Sequence, residues 1–411
     1  SFHKHSLLYV YFELRPSKVV DMQDTVASTY SPECTLRNSH TNGVNCMAFS
    51  PSGQFLATGG DDCALAIWDI TTQQQIFRVL TEGPVLCLCW ESRSPRALFV
   101  GSGNKATFIE NFEDGYDNAH EVKTGINAPV YTLAFDVESG FLGLAAGSEV
   151  QVLREINSTQ NRRVFSTFTI MPRPNLLSNL PEEDHESIRG RSVHFTHRGT
   201  RLVVSYLSHG INCYDTHSGA VLWTIVPIHQ LPIPIPLFLP RPRLVLSRSG
   251  SSAISPDGRR LLVTNLQDGV DMYPSAQSQI VQIYRYNSHY NHEAESNVPV
   301  CVSFVHGGKH VIAGSNYGEA YIWDTETGEI WQILPHSGGD TKICFAQTHE
   351  YYDYSLIATG NAGDDAYIRI WKASLGRQHL HDMSNKYRCL LLRIQLLVAR
   401  SPACAPYCRQ W

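Results

Sequence analysis

The chain has 411 residues, of which 43% are hydrophobic and 17% charged, and its formal net charge is −5. That length admits two ordinary domains or one large repeat array, and the apolar fraction excludes a disordered chain. The charge excludes the concentrated basic face that nucleic-acid binding usually requires.

The opening stretch, SFHKHSLLYVYFEL, joins basic residues to an apolar run of about six, too short for a secretory core. It begins with Ser rather than Met, as a fragment would. No stretch approaches the ~20 apolar residues of a spanning helix. The eleven cysteines are odd in number and irregularly spaced. They read as buried free thiols of a reducing compartment, and Cys404 and Cys408 lack the second pair of a zinc site. Cytoplasm or nucleus is the expected location. Residues 1–33 are read as an N-terminal extension.

One pattern then recurs. FSPSGQFLATGG begins at Phe49 and leads into IWD, and WESRSPRALFVGSG begins at Trp90 and leads into TFIEN. Further copies start at Phe135, Phe195, Ile254, Phe304 and Phe345, and lead into QVLRE, INCYD, VQIYRY, YIWD and RIWK. The seven starts are separated by about 41, 45, 60, 59, 50 and 41 residues. In each copy an apolar residue ends a strand. A turn such as SPSG or SPDG follows, where Gly accepts positive φ. Two short β-rich runs come next, and DITTQQQIF or DTETGEIWQ enters a fourth strand. Turn residues every 8–12 positions and alternating apolar residues predict strands rather than helices. One four-stranded unit cannot hide both faces, whereas seven around an axis bury each sheet between two neighbours. The expected fold is all-β, a seven-bladed β-propeller of four-stranded antiparallel blades over residues 34–373. CTLRN at 34–38 is expected to close the ring as the outer strand of the last blade.

These residues resemble the WD-repeat (WD40) family of β-propellers over about four-fifths of the chain. The resemblance implies a structural tetrad in well-formed blades: a His before the first strand, a Ser or Thr in the second, an Asp in the following turn, and the Trp. The first copy supplies His40, Thr58, Asp62 and Trp68. The seventh supplies Thr359, Asp365 and Trp371. The sixth has Trp323 but Tyr317 in place of the Asp, and the fourth has Tyr214 for Trp and Ser208 for Asp. A His–Ser/Thr–Asp set resembles a catalytic triad, but one that recurs blade by blade reads as structure.

No catalytic residue, cofactor site or metal site is expected. The pairs His194/His197, His289/His292 and His306/His310 are read as lying in loops or turns without a third ligand. No P-loop, dinucleotide fingerprint or nucleophile elbow is present.

Blade-to-blade links and second-to-third turns share one face of an up-and-down propeller. Three insertions, at about 170–190, 226–250 and 265–279, are expected to emerge there. The first contains PEEDHESIRGR. The third, read as a long second-to-third turn, offers Asp268, Asp271 and Tyr273. With Asp61, Asn316 and Asp364 on other such turns, these are the candidate partner-binding residues. The apolar, proline-dense second insertion fits either a polyproline docking segment or a translated intron, and the end of the tail, 386–411, has the same character. The tail 374–411 follows the last repeat and is expected to be poorly ordered.

The resemblance and the missing chemistry imply a non-enzymatic interaction scaffold that binds protein or peptide partners on one face, as a subunit of a larger complex. No nucleic acid, membrane or small-molecule substrate is expected. The alternatives are a lactonase- or quinoprotein-like enzyme with a central-channel ligand, and a ubiquitin-ligase substrate receptor. The second would favour Arg two positions after Trp-Asp, where Thr71 and Glu326 stand.

Overall fold

The computed structural model describes residues 28–375, except 117–118, 158–162, 175–187, 230–244, 247–249, 266–268, 287–299, 337–342, 352 and 365. The N-terminal extension as far as residue 27 and the tail from 376 lie outside the described residues.

Seven four-stranded antiparallel sheets account for nearly all of the regular structure. The first blade comprises Val44–Phe49, Phe55–Gly60, Ala64–Asp69 and Gln74–Leu80. Blades 2, 3, 4 and 6 repeat this meander over 85–121, 130–170, 190–225 and 302–335. Blade 7 takes three strands from the end of the chain, Ile343–Glu350, Tyr354–Asn361 and Ile368–Ser374, and its fourth from the beginning, Ser31–Leu36. The first strands touch in cyclic order, and that of blade 7 returns to that of blade 1. The described residues therefore form one closed all-β ring.

Burial follows position within a blade. In blade 1 the second strand, FLATGG, is buried throughout, and the outer strand, QQIFRVL, is mostly exposed. A strand covered on both faces needs a continuous apolar or small run, which is what LATGG, LFVGS and LVVSY are. The glycines have a steric role. A Cβ on Gly59 would stand 2.3 Å from Val85 Cγ1 in the next blade, and one on Gly101 2.9 Å from Val130 Cγ1, likewise in the next blade. The SPSG and SPDG turns share one geometry. Gly53 and Gly258 have φ of 72° and 73°, and each donates its N–H to the carbonyl of Ser50 or Ser255 at 2.8 Å. The same serines accept on Oγ from Phe55 N at 3.0 Å and Arg260 N at 2.9 Å.

The apolar interior falls into seven clusters, each shared by two adjacent blades. Val44, Met47, Leu56 and Trp68 of blade 1 meet Leu356, Ala358, Ile368 and Ile370 of blade 7, with Leu36 of the closing strand. Comparable clusters join each successive pair around the ring. Closure adds to this. Cys34 pairs with Ile370 and Leu36 with Ile368. Ahead of that strand, Tyr30 is buried between blades 6 and 7, stacked on His306 and edge-on to Trp331. Its hydroxyl meets Ser355 Oγ at 2.8 Å, and the Gln332 amide holds its backbone N–H and C=O at 2.8 and 2.7 Å. Closure thus starts three residues earlier than CTLRN suggests, at Ser31.

Blade 5 corrects the sequence reading. Its third strand is Gly269–Pro274, and the VQIYRY segment supplies the fourth, Gln282–Arg285. The stretch 265–279 is therefore not a long turn. Asp271 and Tyr273 are buried strand residues, at 2% and 1% exposure, and are not available to a partner. Strand alternation turns both toward blade 4. There Tyr273 packs with Val203, Ile211 and Cys213, while Met272 faces blade 6. Asp271 is paired with Arg285 at 2.9 Å and accepts from Asn265 Nδ2 at 3.3 Å. The extra length of this repeat lies instead between Tyr286 and Cys301, where residues 287–299 lie outside the described residues.

Removing the Tyr30 ring tests the closure. Tyr30→Ala should lower unfolding free energy by about 3–5 kcal/mol in urea titration. Tyr30→Phe, which loses only the Ser355 hydrogen bond, should cost about 1 kcal/mol.

Candidate functional site

In blade 1 the turn between the second and third strands meets the link that enters the first. Trp68 Nε1 donates to Thr58 Oγ1 at 3.3 Å, Thr58 Oγ1 lies 2.8 Å from His40 Nε2, and His40 Nδ1 lies 3.1 Å from Asp62 Oδ1. Burial comes first among the causes that lower the His40 pKa, despite the Asp62 carboxylate. A neutral ring has one N–H, so Nδ1–H donates to Asp62 and Nε2 accepts the Thr58 hydroxyl proton. Burial acts to raise the Asp62 pKa, but donation from Thr41 N, His40 and Ala64 N outweighs it and holds the carboxyl below its ordinary range. Every member is engaged, and no nucleophile is free. The chain of bonds fixes the link to the turn.

Blade 7 has the same device from partly different residues. Trp371 Nε1 donates to Thr359 Oγ1 at 2.9 Å, and Thr359 Oγ1 lies 2.7 Å from His336 Nδ1. His336 Nε2 faces Asn361 Oδ1 at 3.4 Å, so an amide oxygen receives the second imidazole bond. Asp365 lies outside the described residues. Sequence reasoning missed His336 because it stands 23 residues before Thr359, against 18 for His40 and Thr58. The signal was a His directly after the outer strand of blade 6. In blade 4, Tyr214 takes the Trp position. Its hydroxyl meets Tyr206 at 2.9 Å and Asn212 Nδ2 at 3.0 Å, and donates to Pro172 O at 3.2 Å. In blade 6, Trp323 Nε1 reaches Arg285 O of blade 5 at 3.2 Å.

Of the partner candidates, Asp61 and Asp364 are exposed on second-to-third turns, and Asn316 is half-buried on another. They belong to blades 1, 7 and 6, which are consecutive in the ring. Asp61 accepts from Asn45 Nδ2 at 2.6 Å. Asn316 Oδ1 is buried without a hydrogen-bond partner. Asp268 lies outside the described residues. His194 is in the first strand of blade 4 rather than a loop, with Nε2 2.9 Å from Ser252 O. His306 and His310 meet through Nδ1 at 3.0 Å, and His289 and His292 lie outside the described residues. Among the described residues no three His, Cys, Asp or Glu converge on a possible metal position. Cys87 and Cys89 face the same interblade cluster, and burial pushes the Cys89 thiol up to about 12. No helix of the described residues is long and apolar enough to cross a membrane.

A family described as WD domain, G-beta repeat matches residues 31–69, from the closing strand through Trp68 and Asp69. Protein tipD of Dictyostelium discoideum is 22% identical over 311 residues, 74% of this chain and 44% of that protein. Ribosome biogenesis protein bop1-A of Xenopus laevis is 31% identical over 72 residues, 18% of this chain and 10% of that protein. Ribosome biogenesis protein ERB1 of Yarrowia lipolytica is 27% identical over 119 residues, 25% of this chain and 14% of that protein. The chain thus spans less than half the length of these curated relatives. Among solved structures, the β-propeller domain of Myceliophteria thermophila Cps50 (Swd1) superposes with a TM-score of 0.59 at 17% identity, over 84% of this chain and 99% of that one.

Two consequences can be measured. Thr58→Val leaves His40 Nε2 and Trp68 Nε1 without partners, and should destabilise the chain by about 1–3 kcal/mol for each group in denaturant titration. Burial also depresses the His194 and His336 pKa values from 6.5 to about 4. Between those values the unfolded chain binds the proton and the folded chain does not. Their contribution, roughly 3 kcal/mol each at most, should be complete above pH 6.5 and lost as pH falls toward 4. Urea midpoints measured across that range should fall steadily on acidification.

Proposed function

We propose that this chain, a seven-bladed β-propeller built on WD repeats, is a non-enzymatic scaffold that binds protein or peptide partners as a subunit of a larger complex. The observation that carries this reading is the division of labour between buried and exposed polar groups. The His–Thr–Asp and His–Thr–Asn sets that could pass for reactive constellations are spent on holding links to turns. Asp61 and Asp364 remain exposed on second-to-third turns, on the face where links enter the first strands. A rigid ring with variable loops on one face is a docking platform. Ribosome biogenesis proteins among the relatives support a complex-bound role in the nucleus or cytoplasm.

Asp61, Asn316 and Asp364 are the side chains proposed to meet the partner, on the arc formed by blades 6, 7 and 1. The two acids favour basic residues there.

Affinity purification from native cells with quantitative mass spectrometry tests the reading. Asp61→Lys with Asp364→Lys should reduce recovery of one defined set of co-purifying proteins about tenfold, the size of a lost charged contact. Glu138→Lys with Glu326→Lys, on first-to-second and third-to-fourth turns of the opposite face, should leave that set unchanged. Equal losses in both variants, or a chain that always purifies alone, would sink it.

A further inference from the structure

The first strand of five blades carries an irregularity at one equivalent place. Register shifts fall between Val44 and Cys46, Val85 and Cys87, Val130 and Thr132, Gly190 and Ser192, and Ile343 and Phe345. A β-bulge leaves one residue out of the ladder and re-aims its side chain. Here the extra residues include Asn45, Leu86, Tyr131 and Arg191, all half-buried. Ser251 and Cys301, also half-buried, hold the matching positions in blades 5 and 6, directly before Ser252 and Val302. First strands are innermost, and these residues lie at their starts, where the links enter. They ring the mouth of the central channel on the link face.

Residues one step further in knit blade to blade. Cys46 Sγ donates to Val85 O at 3.6 Å, Cys87 Sγ to Val130 O at 3.4 Å, and Ser192 Oγ meets Ser252 Oγ at 2.6 Å. The bulge residues are left facing the channel. Arg191 is the single cation among the six. Its guanidinium lies 5.5 Å from the Tyr131 ring centroid, and its Nε is buried without a hydrogen-bond partner. Its charge is felt by Cys301 of blade 6 and Cys87 of blade 2, each two blades away, and by Arg189, as suits a residue at the inner start of a first strand. Desolvation is the largest influence on it, and among the described residues no carboxylate pairs with it. A desolvated guanidinium without a counter-ion is costly. It is also a pre-organised fork for an oxyanion.

We propose that Arg191 is an anchor in the channel mouth that receives one carboxylate from a protein partner, an Asp or Glu side chain or a free C-terminus. This builds on the scaffold reading and adds the partner's chemistry. Arg191 stands among Tyr131, Leu86, Ser251 and Cys301 with Arg189 as the second cation acting on it, and its one desolvated fork fits one carboxylate. Asp61 and Asp364 belong to blades 1 and 7, across the ring from blade 4.

A random peptide library selected on the full chain tests this, with each recovered peptide titrated by fluorescence anisotropy against wild type, Arg191→Gln and Arg191→Met. Peptides that bind the wild type should share an acidic residue or a free C-terminal carboxylate. Affinity should fall about tenfold or more in either variant, and equally on Glu→Gln substitution or C-terminal amidation of the peptide. The two losses should not add. Comparing internal acids with amidated ends separates the two carboxylate sources. Peptides that bind all three proteins alike overturn the carboxylate anchor and leave the scaffold standing. Recovery of no peptide overturns both. Competition by millimolar inorganic phosphate matching the loss in Arg191→Gln assigns a phosphate site and also overturns it. If neither variant folds, Arg191 is a brace between blades 3 and 4, and the proposal fails.

Discussion

Every blade of this ring depends on its neighbours for a dry face. A four-stranded sheet presents two apolar surfaces, and no blade contains an interior of its own. The seven clusters that bury those surfaces are all shared, such as Val203 and Ile211 of blade 4 with Leu261 and Tyr273 of blade 5. Stability is therefore a cyclic sum of interface terms. The small residues of the second strands follow from the same constraint, since a methyl group on Gly59 or Gly101 would overlap the adjacent blade. The aromatic residue of the third strand faces the preceding blade in each case described. Trp68 packs on blade 7, Trp323 on blade 5, Tyr214 on blade 3 and Trp371 on blade 6.

Polar chains at the blade edge complement that packing. They join a link to a turn and so align the loops of one face with the sheets beneath. Two blades do this with imidazoles held neutral, which makes the platform sensitive to acid. Blade 4 does it with a pair of tyrosine hydroxyls, which carry no imidazole that could take up a proton near neutral pH. The degenerate repeats are chemically different solutions to one mechanical problem.

Fold and blade count were legible because turn glycines and short apolar runs recur seven times at a spacing that fits four strands per unit. The blade 1 bond chain was legible because His40, Thr58, Asp62 and Trp68 keep their spacing. Blade 5 was misread for a physical reason. Its third strand, GVDMYP, lacks the terminal Trp-Asp, so VQIYRY, with its aromatic pair, looked like the third strand when it is the fourth. That one-strand slip carried Asp271 and Tyr273 from core to surface. His336 escaped because a longer link into blade 7 and its longer strands stretch the spacing. Arg191 has no motif at all. Its position depends on a bulge, and a bulge is a property of two paired strands rather than of one.

The closing strand also sets the order of events during synthesis. Tyr30 and Ser355 are 325 positions apart, yet they share a buried hydrogen bond. Blades 1 to 6 can assemble as the chain emerges, but the strand Ser31–Leu36, made before them, must wait for the other three strands of blade 7. Until those ends meet, the nascent crescent shows a bare sheet edge at one end and an uncovered apolar face at the other. Long-range closure of this kind is slow, so the interval before it is when the chain most needs protection from aggregation.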